Sequence, residues 1–383
     1  MRVLVVAPTL PWPLDAGGRI RTASLLRELA PRHELTLACV RQEGAGPEAE
    51  QAVRSLGVEL EVHPRGRRSL LQRLSGPAEE GWFWSPALAR RLARADHEGH
   101  DLVHLDELCL VRSLPRELHT PLLVHHHKLD RELAAALARG PASSRLEVSR
   151  WDLLEREALR RSRSHATTTA VDAERLASRH PGLEPGVVPN GFDATVAPPS
   201  SAERDPDLLL ALGSLDYPPN SLGLARFLRH GWPLVRRARP AARLAIVGRG
   251  TPVTPLGSLP EGVELVGEVP DPGPWLRRAQ ALLVPLEVGG GSRLKVLEAA
   301  AHGLPVVATR TGAEGLDLEH GRHLHLAEDL QQLGELAGWA LGHSTELKEC
   351  ATAARDRVLR DYTWGGAAMA LEAAWERAVQ ASR

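Results

Sequence analysis

ALLVPLEVGGGSRLKVLEAAAHGLPVVAT, residues Ala281 to Thr309, decides how this chain is read. It has the pattern of a buried strand, a glycine-rich turn, a short helix and a second buried strand. The turn Gly289-Gly290-Gly291-Ser292-Arg293 sets backbone N–H groups at the positive end of the following helix, which favours anions. Arg293 and Lys295 add cationic side chains. Glu298 lies one turn into the helix, where a carboxylate can accept hydrogen bonds from ribose hydroxyls. One short segment thus carries the groups to hold a diphosphate and a sugar. Taken alone, the glycines fit equally well an ordinary βαβ unit in which they only make a tight turn.

At 383 residues the chain exceeds one ordinary core, which predicts two domains. Hydrophobic residues make up 43% and charged residues 25%, the profile of a soluble globular protein. With 47 basic and 48 acidic residues the net charge is −1, so no global electrostatic argument favours nucleic acid. The clusters Arg65-Gly66-Arg67-Arg68 and Arg160-Arg161-Ser162-Arg163 read as solvated faces, with contact to an anionic membrane surface or a lipid-phosphate acceptor as the alternative. Cys39, Cys109 and Cys350 lie far apart without CxxC spacing. That argues against a disulfide framework and a zinc site, and fits a cytoplasmic protein. The opening MRVLVVAPTLPWP has too short an apolar run for a signal sequence and reads as a first strand. No run approaches the roughly 18 apolar residues of a membrane span.

Two halves share one grammar. Candidate strands of the first are Arg2–Pro8, Glu34–Val40, Val58–His63, Asp101–Asp106, Pro121–His127 and His165–Ala170. Amphipathic stretches such as Arg19–Ala30 and Leu146–Arg161 lie between them. The proline-rich, polar tract after Val188-Pro-Asn-Gly-Phe-Asp193 is the best linker candidate. Strand candidates then resume at Leu208–Leu215, Ala242–Gly248, Val263–Val269, Ala281–Glu287 and Pro305–Arg310. Strands interleaved with helices predict an α/β protein with two Rossmann-like, doubly wound domains. Ligands in such sheets bind at the carboxyl ends of the strands, so facing sheets would share a central cleft. The expected division is residues 1–192, a linker at 193–206, residues 207–361, and a terminal helix at 362–383. For that helix a return to the first domain is one option.

In this order, the opening strand with Gly17-Gly18, the Val188-Pro-Asn-Gly-Phe-Asp193 segment, and the Glu298 helix followed by Gly303-Leu-Pro-Val-Val-Ala-Thr309 resemble the GT-B glycosyltransferases of family 4 type. Such enzymes are retaining and use nucleotide sugars. The resemblance implies an acceptor-side first domain and a second domain that binds the nucleotide sugar. Gly17 and Gly18 would let the backbone approach the diphosphate. His127, at the end of Pro121-Leu-Leu-Val-His-His-His127, would face the donor sugar. Strand alternation puts His125 and His127 on one face and His126 on the other. Gly267 and Glu268 would contact the base through their backbone, Gly289, Gly290, Gly291 and Ser292 would cradle the donor, and Glu298 would bind ribose. Arg293 and Lys295 would neutralise the diphosphate. No metal is expected, because one short run cannot converge three imidazoles and no DxD pair is flanked by strands.

Two positions depart from the family pattern. Gly290 stands where a glutamate normally precedes Glu298 by eight residues, so sugar recognition falls to backbone groups or another side chain. The loop Gly213-Ser-Leu-Asp-Tyr-Pro-Pro-Asn220 lacks the usual arginine and lysine, which leaves Arg293 and Lys295 as substitutes. The implied activity is hexosyltransferase-like transfer from a UDP- or GDP-type sugar to a glycan, lipid-linked or small-molecule hydroxyl, as in polysaccharide biosynthesis. Peripheral contact at the inner face of a membrane is compatible with the arginine clusters. The competing readings are a catalytically degenerate nucleotide-sugar-binding protein, and an epimerase or hydrolase on the same fold.

Overall fold

The computed structural model describes residues 1–42, 46–138, 142–193 and 204–382. The chain divides into two compact units, Met1–Asn190 with Trp364–Arg383, and Gly191–Thr363.

The first unit is built on seven strands: β1 (Arg2–Ala7), β2 (Glu34–Val40), β3 (Glu59–His63), β4 (Leu102–Leu105), β5 (Leu122–His126), β6 (Ser164–Thr167) and β7 (Gly186–Val187). They lie in the order β3-β2-β1-β4-β5-β6-β7, every neighbouring pair parallel. The central strands are apolar throughout because helices cover both faces of a parallel sheet. Strand order reverses between β1 and β4, which pair from Val3↔Leu102 to Val6↔Leu105. Helix Gly17–Leu29 follows β1. The terminal helix Trp364–Ala381 packs against it and against β4, β5 and β6. Its buried side chains Trp364, Ala367, Ala368, Leu371, Ala374, Trp375 and Ala378 form one stripe at helical spacing. Trp375 is fully buried, edge-on to His33 and His104 with ring centroids 5.3 and 5.9 Å away.

The second unit repeats the plan with six parallel strands: β8 (Leu208–Leu212), β9 (Arg243–Val247), β10 (Val263–Gly267), β11 (Ala281–Val284), β12 (Val306–Thr309) and β13 (His325–Ala327). The order is β10-β9-β8-β11-β12-β13, reversing between β8 and β11. One core layer gathers Leu209, Ile246, Leu283, Phe227 and Trp232; the other gathers Leu210, Val247, Val284, Val296 and Ala299. The α/β class and the two Rossmann-like, doubly wound units agree with the sequence reading.

Differences from the sequence reading have local causes. The strand expected over His165–Ala170 stops at Thr167. Thr169 instead caps helix Ala170–Arg179, its hydroxyl accepting from the Asp172 amide at 3.0 Å. Strands β7 and β13, two and three residues long, are sheet edges too short to leave a pattern. Most of the expected linker, 194–203, lies outside the described residues. At its end Arg204 donates to the carbonyls of Ala279 (2.7 Å) and Gly303 (2.8 Å). The three cysteines are free and buried. Among the described residues no helix is long and apolar enough to cross a membrane.

Truncating the terminal helix's anchor, Trp375→Ala, is expected to cost about 3–5 kcal/mol, read by urea unfolding.

Candidate functional sites at the two strand-order reversals

In an open parallel sheet the crossovers on either side of an order reversal leave to opposite faces. A crevice therefore opens outside the carboxyl ends of the two central strands. Each unit has one such point, and the polar residues singled out in the sequence gather there.

In the second unit the crevice lies between the loops that follow β8 and β11. Helix Leu294–Ala301 begins here, and its first two amides, those of Leu294 and Lys295, have no acceptor among the described residues. The Lys295 ammonium reaches the first turn of helix Pro218–His230, which follows the β8 loop, and donates to Asn220 Oδ1 at 2.8 Å. Asn220 is itself held by donating to the Ser214 carbonyl at 2.7 Å. Two glycines make room. A Cβ on Gly213, whose φ is +141°, would lie 2.7 Å from Lys295 Nζ, and one on Gly248 would lie 2.0 Å from the Gly213 carbonyl oxygen. Burial, then the Arg293 charge, lowers Lys295 to about 7. The loop read as lacking a cation thus receives one from the helix across the crevice.

Arg293 does something other than expected. Its guanidinium donates to the carbonyls of Gly290 and Gly291, both at 2.6 Å, and to that of Thr311 at 3.0 and 3.1 Å. It fastens the Gly289–Ser292 turn from behind, and a Cβ on Gly289 would sit 2.9 Å from it. Its guanidinium thus holds the turn, and its charge is felt by Lys295. Glu298 is partly buried, and its carboxylate has no hydrogen-bond or ion-pair partner among the described residues. Burial, then Asp271, raises it to about 7. Gly267 ends β10 with φ +81° and accepts from the Gly248 amide at 2.8 Å, and Glu268 follows it, exposed.

In the first unit the crevice lies between the loops after β1 and β4. Gly17 and Gly18 are the first residues of their helix rather than a free turn, and neither has a positive φ. A Cβ on Gly18 would touch Glu107 Oε1 and His127 Nδ1, both at 3.8 Å. His127 follows β5, its Nε2 3.0 Å from Asp106 Oδ1 and its Nδ1 3.3 Å from Glu107 Oε1. Burial opposes a charged ring, but these two carboxylates outweigh it and raise His127 to about 9. Burial likewise pushes the carboxyls up, yet the cations win. His127 brings Asp106 to about 2, and Lys128 with His127 does the same for Glu107. His127 is therefore an imidazolium at neutral pH with both nitrogens facing carboxylates. The expected face-sharing of His125 and His127 is present, and His126 points the other way, to His165 Nδ1 at 3.0 Å.

His104, Asp106 and His125 are the one group among the described residues with metal-ligand spacing. His104 Nε2 and His125 Nδ1 are 3.3 Å apart, and each is 3.8 Å from Asp106 Oδ1. Their chemistry does not fit an ion. Arg21 Nη2 lies 2.9 Å from His125 Nε2, and a guanidinium can only donate. His125 Nε2 must be the bare nitrogen, which places the ring proton on Nδ1, the atom a metal would need.

Residues 16–196 match the family model for Glycosyltransferase Family 4, and residues 206–341 match that for Glycosyl transferases group 1. The chain belongs to the family 4 glycosyltransferases. Solved structures agree in fold. A sucrose-phosphate synthase from Thermosynechococcus elongatus superposes with TM-score 0.76 at 16% identity, covering 100% of both chains. HepE of Anabaena, solved with UDP and glucose, gives 0.71 at 13% identity over 98% of this glycosyltransferase and 99% of that chain. AviGT4, a glycosyltransferase involved in avilamycin A biosynthesis, gives 0.56 at 18% identity, covering 100% of this chain and 98% of its own. No curated protein matches the sequence.

Sequence reasoning passed over Asp106, Glu107 and Asn220, and it left Arg21 between an acceptor or phosphate contact and solvent exposure, whereas Arg21 is 2% exposed. The available signal was position: an Asp-Glu pair directly after the buried run Leu102–Leu105, at the carboxyl end of a central strand. In this glycosyltransferase, Gly248→Ala would force a Cβ into the Gly213 carbonyl. A loss of about 1–3 kcal/mol is expected from such overpacking, measured by chemical denaturation.

Proposed function

We propose that this glycosyltransferase moves a sugar from a nucleotide diphosphate to an acceptor hydroxyl with retention at the anomeric carbon. One observation carries the reading. Helix Leu294–Ala301, which starts at the crevice where the second sheet reverses order, carries Lys295 and a carboxylate, Glu298, that has no partner among the described residues. Glu298 accepts from ribose hydroxyls, while Lys295 and the first amides of the helix receive the diphosphate. Gly267 and Glu268 border the base, and the Gly289–Ser292 turn, held by Arg293, offers its backbone to the sugar in place of the glutamate absent at Gly290. HepE has been solved in complex with UDP-glucose, and the TarM structure holds UDP and alpha-GlcNAc-glycerol.

The barrier is the charge separated as the C1–O bond to the diphosphate breaks. Lys295 and the helix amides stabilise the leaving oxygen. The new bond forms on the same face, and the departing phosphate oxygen takes the acceptor's proton. Without the Lys295 donor, turnover should fall by 10²- to 10³-fold, about 3–4 kcal/mol. On the first unit, Glu107 beside Gly18 is an ionised carboxylate held by His127 and Lys128, suited to accept from an acceptor hydroxyl. Protein cations and the helix end take the place of a metal, so turnover should survive dialysis against EDTA. Activity lost and then restored by Mg²⁺ or Mn²⁺ would overturn that part.

Both groups on the helix titrate near neutrality, which fixes the sign of proton exchange on binding. A bound diphosphate favours charged Lys295, lowered to about 7 by burial. Ribose hydroxyls favour ionised Glu298, raised to about 7 by burial. Calorimetry with the tightest-binding sugar nucleotide of a UDP, GDP, ADP, CDP and TDP panel should show proton uptake at pH 8 and release at pH 6. Lys295→Met should abolish the uptake and Glu298→Gln the release. Binding without proton exchange at either pH would remove both residues from the donor site.

A further inference from the structure

Four large apolar side chains that the first unit leaves in water lie on two neighbouring segments. Leu70 (72% exposed), Leu74 (60%) and Trp82 (56%) fall within 65–84, and Leu146 (50%) lies early in helix Ala142–Arg161. Leu70 and Leu74 stand one turn apart on helix Leu70–Ser75, so one face of that helix shows both to solvent. The helix is firmly held. Ser69 and Gln72 close a capping box at 2.8 and 3.3 Å, and Arg150 donates to the Leu74 carbonyl at 3.1 Å. Leu146 lies one turn before Arg150, which brings it beside that contact. Glu147 accepts from the Ala78 amide at 2.8 Å and joins the two segments a second time.

Beneath the leucines the tract folds about a buried ionic centre. Glu80, 1% exposed, meets Arg68 at 3.3 Å and Arg112 at 3.4 Å, and Arg68 also donates to the Pro77 carbonyl at 2.7 Å. Glycine flanks it on both sides. A Cβ on Gly76 would lie 1.9 Å from Glu80 Oε2, and one on Gly81 would lie 2.7 Å from the Arg68 guanidinium. Leucines held outward on such a support, with charge around them, mark a surface that meets a partner or another phase.

The charge selects which. The tract 65–84 carries Arg65, Arg67, Arg68 and Arg73 against Glu79 and Glu80. Glu80 is spent on the buried centre, Glu79 on Lys128 at 3.4 Å, and Glu147 on Arg150 at 3.2 Å. Arg65, Arg67 and Arg73 are exposed and have no carboxylate partner among the described residues, and neither has Arg145, next to Leu146. The charges left over are therefore all positive. Aliphatic side chains inside a rim of guanidinium groups suit a bilayer with acidic headgroups: the leucines enter the acyl boundary while the arginines stay with the phosphates. An indole such as that of Trp82, apolar with one polar edge, fits at headgroup depth.

We propose that the apolar face of Leu70, Leu74 and Leu146, with its rim of Arg65, Arg67 and Arg73, docks this protein peripherally on an anionic lipid bilayer. The arginines alone fit a solvated face equally well; the leucines that helix Leu70–Ser75 holds in water favour the membrane. Docking needs neither donor nor acceptor, so it stands apart from the transferase reading.

The test is co-sedimentation of the full-length protein with vesicles of phosphatidylcholine alone and of phosphatidylcholine mixed with phosphatidylglycerol. Binding to the mixed vesicles should exceed binding to the neutral ones by roughly tenfold or more, and should fall as salt is raised. Leu70→Ser with Leu74→Ser should weaken it by roughly tenfold or more. Arg65→Gln, Arg67→Gln and Arg73→Gln together should do the same, at roughly fivefold per charge. All five side chains are exposed, so both variants should keep the wild-type melting temperature. Arg160→Gln with Arg163→Gln removes charge at and just past the opposite end of helix Ala142–Arg161, and should change binding by less than about threefold. A wild type that ignores mixed vesicles, or binds both kinds equally, overturns the proposal without any variant. So does a leucine variant that binds as the wild type does, or an Arg160 pair that loses as much as the Arg65 set. Sedimentation velocity showing a wild-type dimer that the leucine variant dissolves would give the surface to a second copy and overturn it as well. A protein that docks as expected but transfers no sugar would count against the transferase reading alone.

Discussion

The reach of Lys295 to Asn220, across the point where the second sheet reverses its strand order, is the contact on which that unit's site depends. It joins the first turns of two helices that the strand-order reversal sets side by side. It also requires glycine at 213 and 248, where a side chain would collide with the ammonium or with the loop beneath it. An ammonium held in so dry a place is poorly solvated, which is why its proton is loosely held. An arriving anion restores what burial removed. The positive charge of Lys295 is thus held most firmly when an anion lies beside it.

The first unit solves the opposite problem. Asp106 is buried and must stay ionised, a state that burial alone would forbid. An imidazolium on one oxygen and a hydroxyl on the other satisfy it, while Glu107 and Lys128 extend the cluster toward the surface. Removing one member of such a buried set leaves another uncompensated, so the set is retained or lost together. Two histidines that burial keeps neutral, His104 and His125, complete the packing. Arg21 sets where His125 carries its proton.

Much of this was legible in the sequence, for physical reasons that also mark where legibility ended. Strands buried on both faces write themselves as apolar runs, so eleven of the thirteen among the described residues were recognised. The missing two, β7 and β13, are edge strands that bury little. Glu298 and Lys295 could be put on one helix because a helix fixes the relation between neighbours in sequence. Asn220 could not be joined to Lys295, since 75 residues separate them. Asp106 and His127 meet through the parallel register of β4 and β5, which pairs Val103 with Leu122, and no local pattern announces that pairing. Arg293 shows a further limit. Its type and position suggested a phosphate ligand, but a long side chain at a turn can fold back, and here it grips the carbonyls of its own loop.

The return of helix Trp364–Ala381 to the first unit makes that unit discontinuous along the chain, with the whole second unit inserted in it. A ribosome therefore delivers every strand of both sheets before the last wall of the first core emerges. Until then the faces of β4, β5 and β6 that this helix covers are bare. The inserted unit can finish first; its host must wait for Trp375, and any chain that stops short of that residue leaves an apolar face open for chaperones or for its own kind.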